Sequence, residues 1–518
     1  MATSWIEQAK QFKSRMTVVA GFLLKSRETQ SRRARAKSAE VERLERLVEQ
    51  QERSLRGLRE RQEEQAAEIA RLTAENQRLR NRPPILPDDP PLPRHEFGSK
   101  MISLCVNLAK RIGLRAAADV LRLFFDWLGV SPKTPVWTTI RVWLLRVGVA
   151  ALKRPIEPAD DWVWMADHSN QIGQEKVLSI LGLRASRMPP PGETLKHEHV
   201  RVLELEPGTS WKREDVAAVY ERLEQRCGAP AALLTDGASE LRDAAQVLQK
   251  QGQKTVVLGD FKHHAANVLK KVLESDLRFL QFDRQLGRTR CAIQQTELAH
   301  FTPPRPRPKA RFMNLAAMLR WAAMVRWQLS HPRSAARACI MDERMNDKLG
   351  WLDGFRDDIA AWNACQAVVS ASVTWINEHG VSPGAARRLR DHLRNLRGRD
   401  RPEDQAASRL VTARLLRFVR QQESQLVEGQ RLPLSTEILE SSFGLFKQLE
   451  RQHSKGGFTS LLAGYGCLLS QCTPESIRRD FAAVSVKAMR AWTNDKLGAT
   501  LTAKRQTAYQ EYLQATAS

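Results

Sequence analysis

Three short apolar runs in the middle of the chain end in the same way. They read WVWMAD over 162–167, AALLTD over 231–236 and TVVLGD over 255–260. Runs of this length, rich in Val, Leu and Trp and closed by a polar turn residue, predict buried β-strands. KVLSILGLR (176–184) and HVRVLELEPG (199–208) add two more. Between the later runs lie two amphipathic segments, REDVAAVYERLEQRCG and ASELRDAAQVLQKQG, the second closed by Gly252. The predicted order is three strands, helix, strand, helix, strand. The first three are free to form a meander and the others to be helix-linked, which is an α/β arrangement around a mixed sheet.

An aspartate at the end of a core strand has a bland reading, since Asp favours turns. It has a chemical one too, since a strand end is a rigid base for a metal ligand. The recurrence in VWMADHS and ALLTDGA favours the second for Asp167 and Asp236. Carboxylates gathered at one sheet edge suit Mg2+, a hard cation that takes oxygen ligands. Two such ions, held roughly 3.5–4 Å apart, activate an attacking oxygen and stabilise a leaving one on phosphorus. That chemistry needs a third acid from another element. STEILESSFGLFKQLERQHSKGGF (435–458) offers Glu437 and Glu440 on one helix, with Ser435 or Thr436 placed to cap it. Lys447 follows Glu440 by two turns on the same helix face. Lys455, in the glycine-containing loop that ends the segment, is a candidate phosphate contact.

With 82 basic against 58 acidic residues the formal net charge is +24, which predicts a polyanionic partner, most simply nucleic acid. Seven scattered cysteines without a C-x-x-C pair predict reduced thiols and no zinc site. The apolar stretch from Thr17 to Leu24 is too short to span a bilayer. The expected setting is therefore cytoplasmic and nucleoid-associated, without membrane attachment.

The arm before the strands is helical in pattern. Val41, Val48, Leu55, Gln62, Ile69 and Asn76 fall on one heptad position and Leu44, Gln51, Leu58, Gln65, Leu72 and Leu79 on another; Gln62 and Gln65 weaken the middle, but the pattern predicts a coiled-coil seam and a homodimer or higher homo-oligomer rather than a lone charged helix. Pro83 and Pro84 stop it. From His95 to Lys153 short helices separated by Gly and Pro turns predict a helix-turn-helix, its last helix offering Arg141 and Arg146 to DNA. Residues 275–430 show helical periodicity only. Their Trp321, Trp327, Trp351, Trp362 and Trp375 are expected in a core rather than stacked on bases, and the basic stretches 302–311 and 386–401 are expected to meet phosphate.

This order of elements, with Asp167 on the first strand and Asp236 after the fourth, resembles the ribonuclease-H-like catalytic core of DDE transposases of bacterial insertion sequences. DFKH (260–263) is similar to a motif that follows the second catalytic Asp in Mutator-like, hAT and P-element-like relatives, which selects Asp236 over Asp260. ESSFGLFK resembles the Glu-Ser-x-Phe-Gly pattern of some insertion-sequence transposases, in many of which a basic residue two turns after the Glu holds DNA phosphate; the resemblance selects Glu440 over Glu437 and implies that role for Lys447. The fuller pattern of one subfamily, with Tyr and Arg ahead of that Glu, is absent.

The resemblance implies a transposase that cuts element ends and joins the freed 3′ hydroxyl to target DNA. Asp167, Asp236 and Glu440 would bind two Mg2+, with Mn2+ able to substitute, and Asp260, His263 and His168 would support them. A non-catalytic DNA-binding protein and a metal-dependent nuclease without strand transfer are the alternatives. The expected domains are a helix and coiled coil (1–82), a proline-rich linker (83–94), a helix-turn-helix-like DNA-binding domain (95–155), the first part of the core (156–272), an all-helical insertion (273–430) and the second part of the core with a helical tail (431–518).

Overall fold

The computed structural model describes residues 88–170, 176–252, 255–305, 315–331, 339–396, 405–453, 460–498 and 501–517, and in the N-terminal arm 7, 10, 11, 13–21 and 62–76. The chain divides into two units: residues 1–87 with 128–130, and the remainder. In the first unit 13–21 and 62–76 are helical, and Ile69 and Leu72 on the second helix are exposed. Most of the expected heptad seam lies outside the described residues.

The second unit is built on a five-stranded sheet of order β3-β2-β1-β4-β5. Its strands are β1 (Trp162–Asn170), β2 (Lys176–Arg184), β3 (Arg201–Gly208), β4 (Ala232–Thr235) and β5 (Val256–Gly259). The first three pair antiparallel as the expected meander, while β4 and β5 run parallel to β1. The sequence reading of a mixed sheet with helix-linked later strands therefore holds.

Three helices precede the sheet: α1 (Ser99–Ile112), α2 (Leu114–Trp127) and α3 (Trp137–Lys153). The helix α4 (Arg213–Cys227) joins β3 to β4, and α5 (Ser239–Ala244), continued by a 3-10 turn, joins β4 to β5. Strand side chains alternate between faces. Trp162, Trp164 and Ala166 of β1 pack with Val216, Tyr220 and Leu223 of α4 in one buried cluster. Val163, Met165 and Asp167 therefore face the opposite side, where the sheet meets α13 (Glu437–His453) at β1 and α3 at β3. Both faces are covered, so the strands read as unbroken apolar runs rather than as alternating ones.

After β5 come α6 (Phe261–Glu274), α7 (Leu277–Ile293), α8 (Leu315–Ser330), α9 (Cys339–Leu349), α10 (Arg356–His379), α11 (Ala385–Leu396) and α12 (Gln405–Glu423). The described part of this region is helical, as expected from its periodicity. Phe279, Phe282, Trp351, Phe355 and Trp362 form its aromatic centre, with Phe282 and Trp362 centroids 5.0 Å apart. Trp321, Trp362 and Trp375 are buried as core residues, whereas Trp327 is exposed and stacks on His331. The stretch Glu343–His379 has the length and composition of a membrane span, but half of its most apolar window is buried inside the protein.

One expectation is corrected. Residues 95–155 do not stand apart as a separate DNA-binding domain. Their helices pack on the C-terminal segment that holds α14 (Tyr465–Leu468), α15 (Pro474–Ala483), α16 (Val486–Leu497) and α17 (Leu501–Ala517). Asn107 exchanges two hydrogen bonds with the Cys472 backbone, and Lys110 donates to the Ser470 carbonyl at 2.6 Å. A Cβ at Gly148 of α3 would collide with the Ala463 carbonyl, so the two segments touch backbone to backbone. The end of the expected linker is also tied in: Asp89 accepts from the Lys100 and Met101 amides at the start of α1.

Candidate functional site

The register of the parallel half of the sheet sets out a row of acids. Ala166 pairs with Thr235 and Thr235 with Gly259, and these are the last pairs of β1–β4 and β4–β5. The next residues are Asp167, Asp236 and Asp260. Adjacent strands lie about 4.8 Å apart, so the three carboxylates start from neighbouring points on one edge. Gly237, with φ at +91°, turns the chain immediately after Asp236, a conformation that favours glycine. The first turn of α13 brings Glu437 and Glu440 to the same region.

Asp260 has a structural role. It is the N-cap of α6, accepting from the amides of Lys262 at 2.6 Å and His263 at 3.4 Å. Its other oxygen accepts from the Thr436 amide and hydroxyl and lies 3.0 Å from His263 Nδ1. Burial would raise its pKa, but His263, Thr436 and the Lys262 amide together hold it below the usual carboxylate value. Both oxygens are therefore committed, and they clamp α6 to the start of α13. The hydrogen bond to Asp260 in turn raises His263 to about 9 against the opposing effect of burial. The imidazole is thus held protonated, with Nε2 3.8 Å from Glu440.

Asp167 and Asp236 are less committed. Asp167 Oδ1 accepts the adjacent His168 amide, and Asp236 Oδ1 accepts the Ala238 amide. Burial pushes the Asp167 carboxyl up to about 7, with the charges of Asp236 and Glu440 adding and the His168 amide and His263 opposing. The charges of Asp236 and Glu440 thus both reach Asp167, behind the larger effect of burial.

Glu437 is directed elsewhere. Its carboxylate takes Asn377 Nδ2 on one oxygen and Lys262 Nζ, at 3.2 Å, on the other. Lys262 also reaches Glu440 Oε2 at 2.8 Å. Burial disfavours the lysine charge, but the two glutamates outweigh it and raise its pKa. Behind α13, Ser442 bonds the buried Tyr465 hydroxyl, which lies 3.5 Å from Ser179, the residue opposite Asp167 across β1–β2. The helix carrying Glu440 is thereby fixed to the strand pair carrying Asp167.

Asp260, His263 and Glu440 form a candidate metal-coordinating triad, with one ligand atom from each lying within 4.8 Å of the others. It shares Glu440 with the Asp167–Asp236–Glu440 set.

The remaining expected site residues fall as follows. His168 is largely buried beside Trp211 and 3.7 Å from Glu240, and burial lowers its pKa. Lys447 is exposed on α13. Lys455 lies outside the described residues. Arg141 is half-buried and bonds Ser460. Arg146 corrects the sequence reading: it is 6% exposed and bonds the carbonyls of Phe481 and Val484. It also contacts His95 and lies over the Phe481 ring at 4.0 Å. Its guanidinium is spent inside the protein and is not presented to DNA. Lys262, Asn377 and Tyr465 have no role at the acidic edge in the sequence reading, and Thr436 has only that of a candidate helix cap; DFKH, which contains Lys262, carried the one other signal.

No family model matches the chain, and no curated protein matches it. Among solved structures it is similar to the "Drosophila P element transposase strand transfer complex", at 13% identity over 75% of this chain and 93% of that one, with a TM-score of 0.34. A likeness this distant carries no weight for the activity of this chain or for its residues.

Proposed function

We propose that this chain is a DDE transposase with a ribonuclease-H-like core, cutting DNA at the ends of an insertion sequence and joining the freed 3′ hydroxyl to target DNA. The observation that carries the reading is the register: Asp167 and Asp236 each stand one residue past the pair Ala166–Thr235, and α13, which carries Glu440, packs against β1. The sheet order, with a meander of three strands and two parallel strands joined by helices, supports the same core.

The donor set fits a divalent cation. Three carboxylates offer hard oxygen ligands, and a cation would favour the ionised form of Asp167, which burial first and the charges of Asp236 and Glu440 after it disfavour. Two Mg2+ ions, or Mn2+ in their place, would neutralise charge on the phosphate and align the attacking and leaving oxygens. Asp167 and Asp236 hold their oxygens on rigid strand ends. Glu440 is steered by Lys262, and Asp260 keeps α6 and α13 in register through Thr436. His263 Nε2 keeps a proton beside Glu440, where it can donate to a phosphate oxygen. Lys447, exposed on α13, and the excess of positive charge bind the DNA. The heptad seam of the arm pairs subunits, so that two element ends meet.

The test is cleavage of DNA carrying an element end joined to flanking sequence, with Mg2+, by the wild-type chain and by Asp236→Ala. The reading expects nicking at the end by the wild type alone. Equal cleavage by Asp236→Ala, or none by either, would reject it.

A further inference from the structure

A groove of about 350 Å³ runs between α11 and α12. Five arginines line it: Arg390 and Arg394 from α11, and Arg409, Arg417 and Arg420 from α12. On each helix these positions recur at three, four, seven or eight residues, which places them on one face. Leu393 and Leu416 are buried beneath them as a floor.

The acids nearby do little to offset this charge. Asp391 lies 3.4 Å from Arg390 and 3.9 Å from Arg394, in largely exposed pairs that contribute little. Glu423 is occupied by the Ala386 amide. Arg417 and Arg420 make no ion pair among the described residues. Like charges gathered in one groove repel one another, and an anionic ligand removes that cost. Guanidinium groups are suited to phosphate, which they grip with two parallel hydrogen bonds.

We propose that this groove is a second nucleic-acid contact, holding the phosphodiester backbone of a DNA strand whose other part lies at the carboxylates. Shape favours a strand over a small anion. Arg394, Arg409, Arg417 and Arg420 are exposed along a rim, with only Arg390 half-buried. Arg409 and Arg420 are eleven positions apart, about 16 Å along the helix at 1.5 Å per residue, enough to face several phosphates at the roughly 3.4 Å rise per nucleotide of a B-form strand.

The groove is also tied to the acidic edge. Phe418, next to Arg417, stacks on His264 of α6 with centroids 4.0 Å apart, and Gln422 accepts from the Gly259 amide, one residue before Asp260. A strand held on α12 is thereby held at a fixed offset from Asp236 and Glu440.

The inference rests on the reading of the chain as a DNA-acting protein, and it is tested by binding alone, without cleavage. Fluorescence anisotropy across a salt series would compare the full chain with Arg417→Gln/Arg420→Gln. Loss of two phosphate contacts should reduce the slope of log affinity against log salt by about 2, and weaken binding roughly tenfold or more at moderate salt. Because both side chains are exposed, the melting temperature should stay the same. An unchanged slope and affinity would overturn the inference. So would an equal loss from Arg122→Gln/Arg213→Gln, which removes the same charge from exposed positions on α2 and α4. Stabilisation of the wild type but not the variant by inorganic tripolyphosphate, with DNA binding unaffected, would make the groove a small-anion site and overturn it too. DNA binding that depends on Arg417 and Arg420 in a chain that never cleaves would leave the inference standing while rejecting the catalytic reading. A wild type that binds no DNA rejects both.

Discussion

Lys262 Nζ stands 2.8 Å from Glu440 Oε2 and 3.2 Å from Glu437 Oε1, so one ammonium holds both acids at the start of α13. A cation bound by Glu440 has to share that carboxylate with the lysine. Replacing Lys262 by Met should therefore tighten Mn2+ binding to the full chain by about 1 kcal/mol, roughly fivefold, a modest value because the pair is partly solvated. Calorimetric titration checks it. Weaker binding in the variant would mean that Lys262 serves chiefly to place Glu440.

Glu437 and Glu440 should separate cleanly by function. Glu440 acts on Asp167, whereas Glu437 is taken by Asn377 and Lys262. Glu440→Ala should lower DNA cleavage by about 10²-fold or more, on the order expected when transition-state charge stabilisation is removed. Glu437→Ala should retain cleavage and lose about 1 kcal/mol of stability with its hydrogen bonds. Single-turnover cleavage and thermal melts of both variants decide it, and the reverse pattern would move the third acid to Glu437.

Arg146 should matter for folding and not for DNA. Arg146→Ala leaves the buried carbonyls of Val484 and Phe481 without their donor and should cost about 3 kcal/mol. Chemical denaturation measures the loss. An unaltered midpoint combined with weaker DNA binding would return Arg146 to the DNA surface.

These outcomes bear on how far the sequence could be read. The strand-end positions of Asp167 and Asp236 were legible because each closes an apolar run, and strand ends are marked locally. The place of Glu440 in the first turn of a helix was legible from the capping residues before it. Arg146 was misjudged because a basic residue was assigned to solvent by type. Its neighbours Trp143, Leu144, Leu145 and Val147 are all buried, and that unbroken apolar run was the available sign that the position faces inward. The clamp of Asp260 on Thr436, 176 residues away, and the hold of Tyr465 on Ser442 leave no local pattern, since only the folded chain brings those residues together. The separate helical domain failed for the same reason: the surface that covers α1 and α3 comes from beyond residue 460.

The Asp260–His263 pair gives a pH signature. The folded-state pKa of His263 is raised from 6.5 to about 9, so the protonated imidazole contributes stability that is complete below about pH 6.5 and is lost as pH rises through about 9. With divalent cations chelated, the gap in melting temperature between the wild type and His263→Gln should be widest near pH 6.5 and close by pH 10. A gap independent of pH would mean that the imidazole carries no charge in that pair.

The central claim is that Asp167, Asp236 and Glu440 bind the catalytic cation, and metal rescue at Asp236 tests it most directly. A thiolate is a soft ligand, poorly matched to Mg2+ and better accepted by softer ions. The full chain bearing Asp236→Cys should be inactive on DNA with Mg2+ and should regain cleavage with Mn2+, while the wild type cuts with either. Cleavage by Asp236→Cys with Mg2+ at the wild-type rate, or failure of Mn2+ to restore any, would contradict the assignment of Asp236 as a metal ligand.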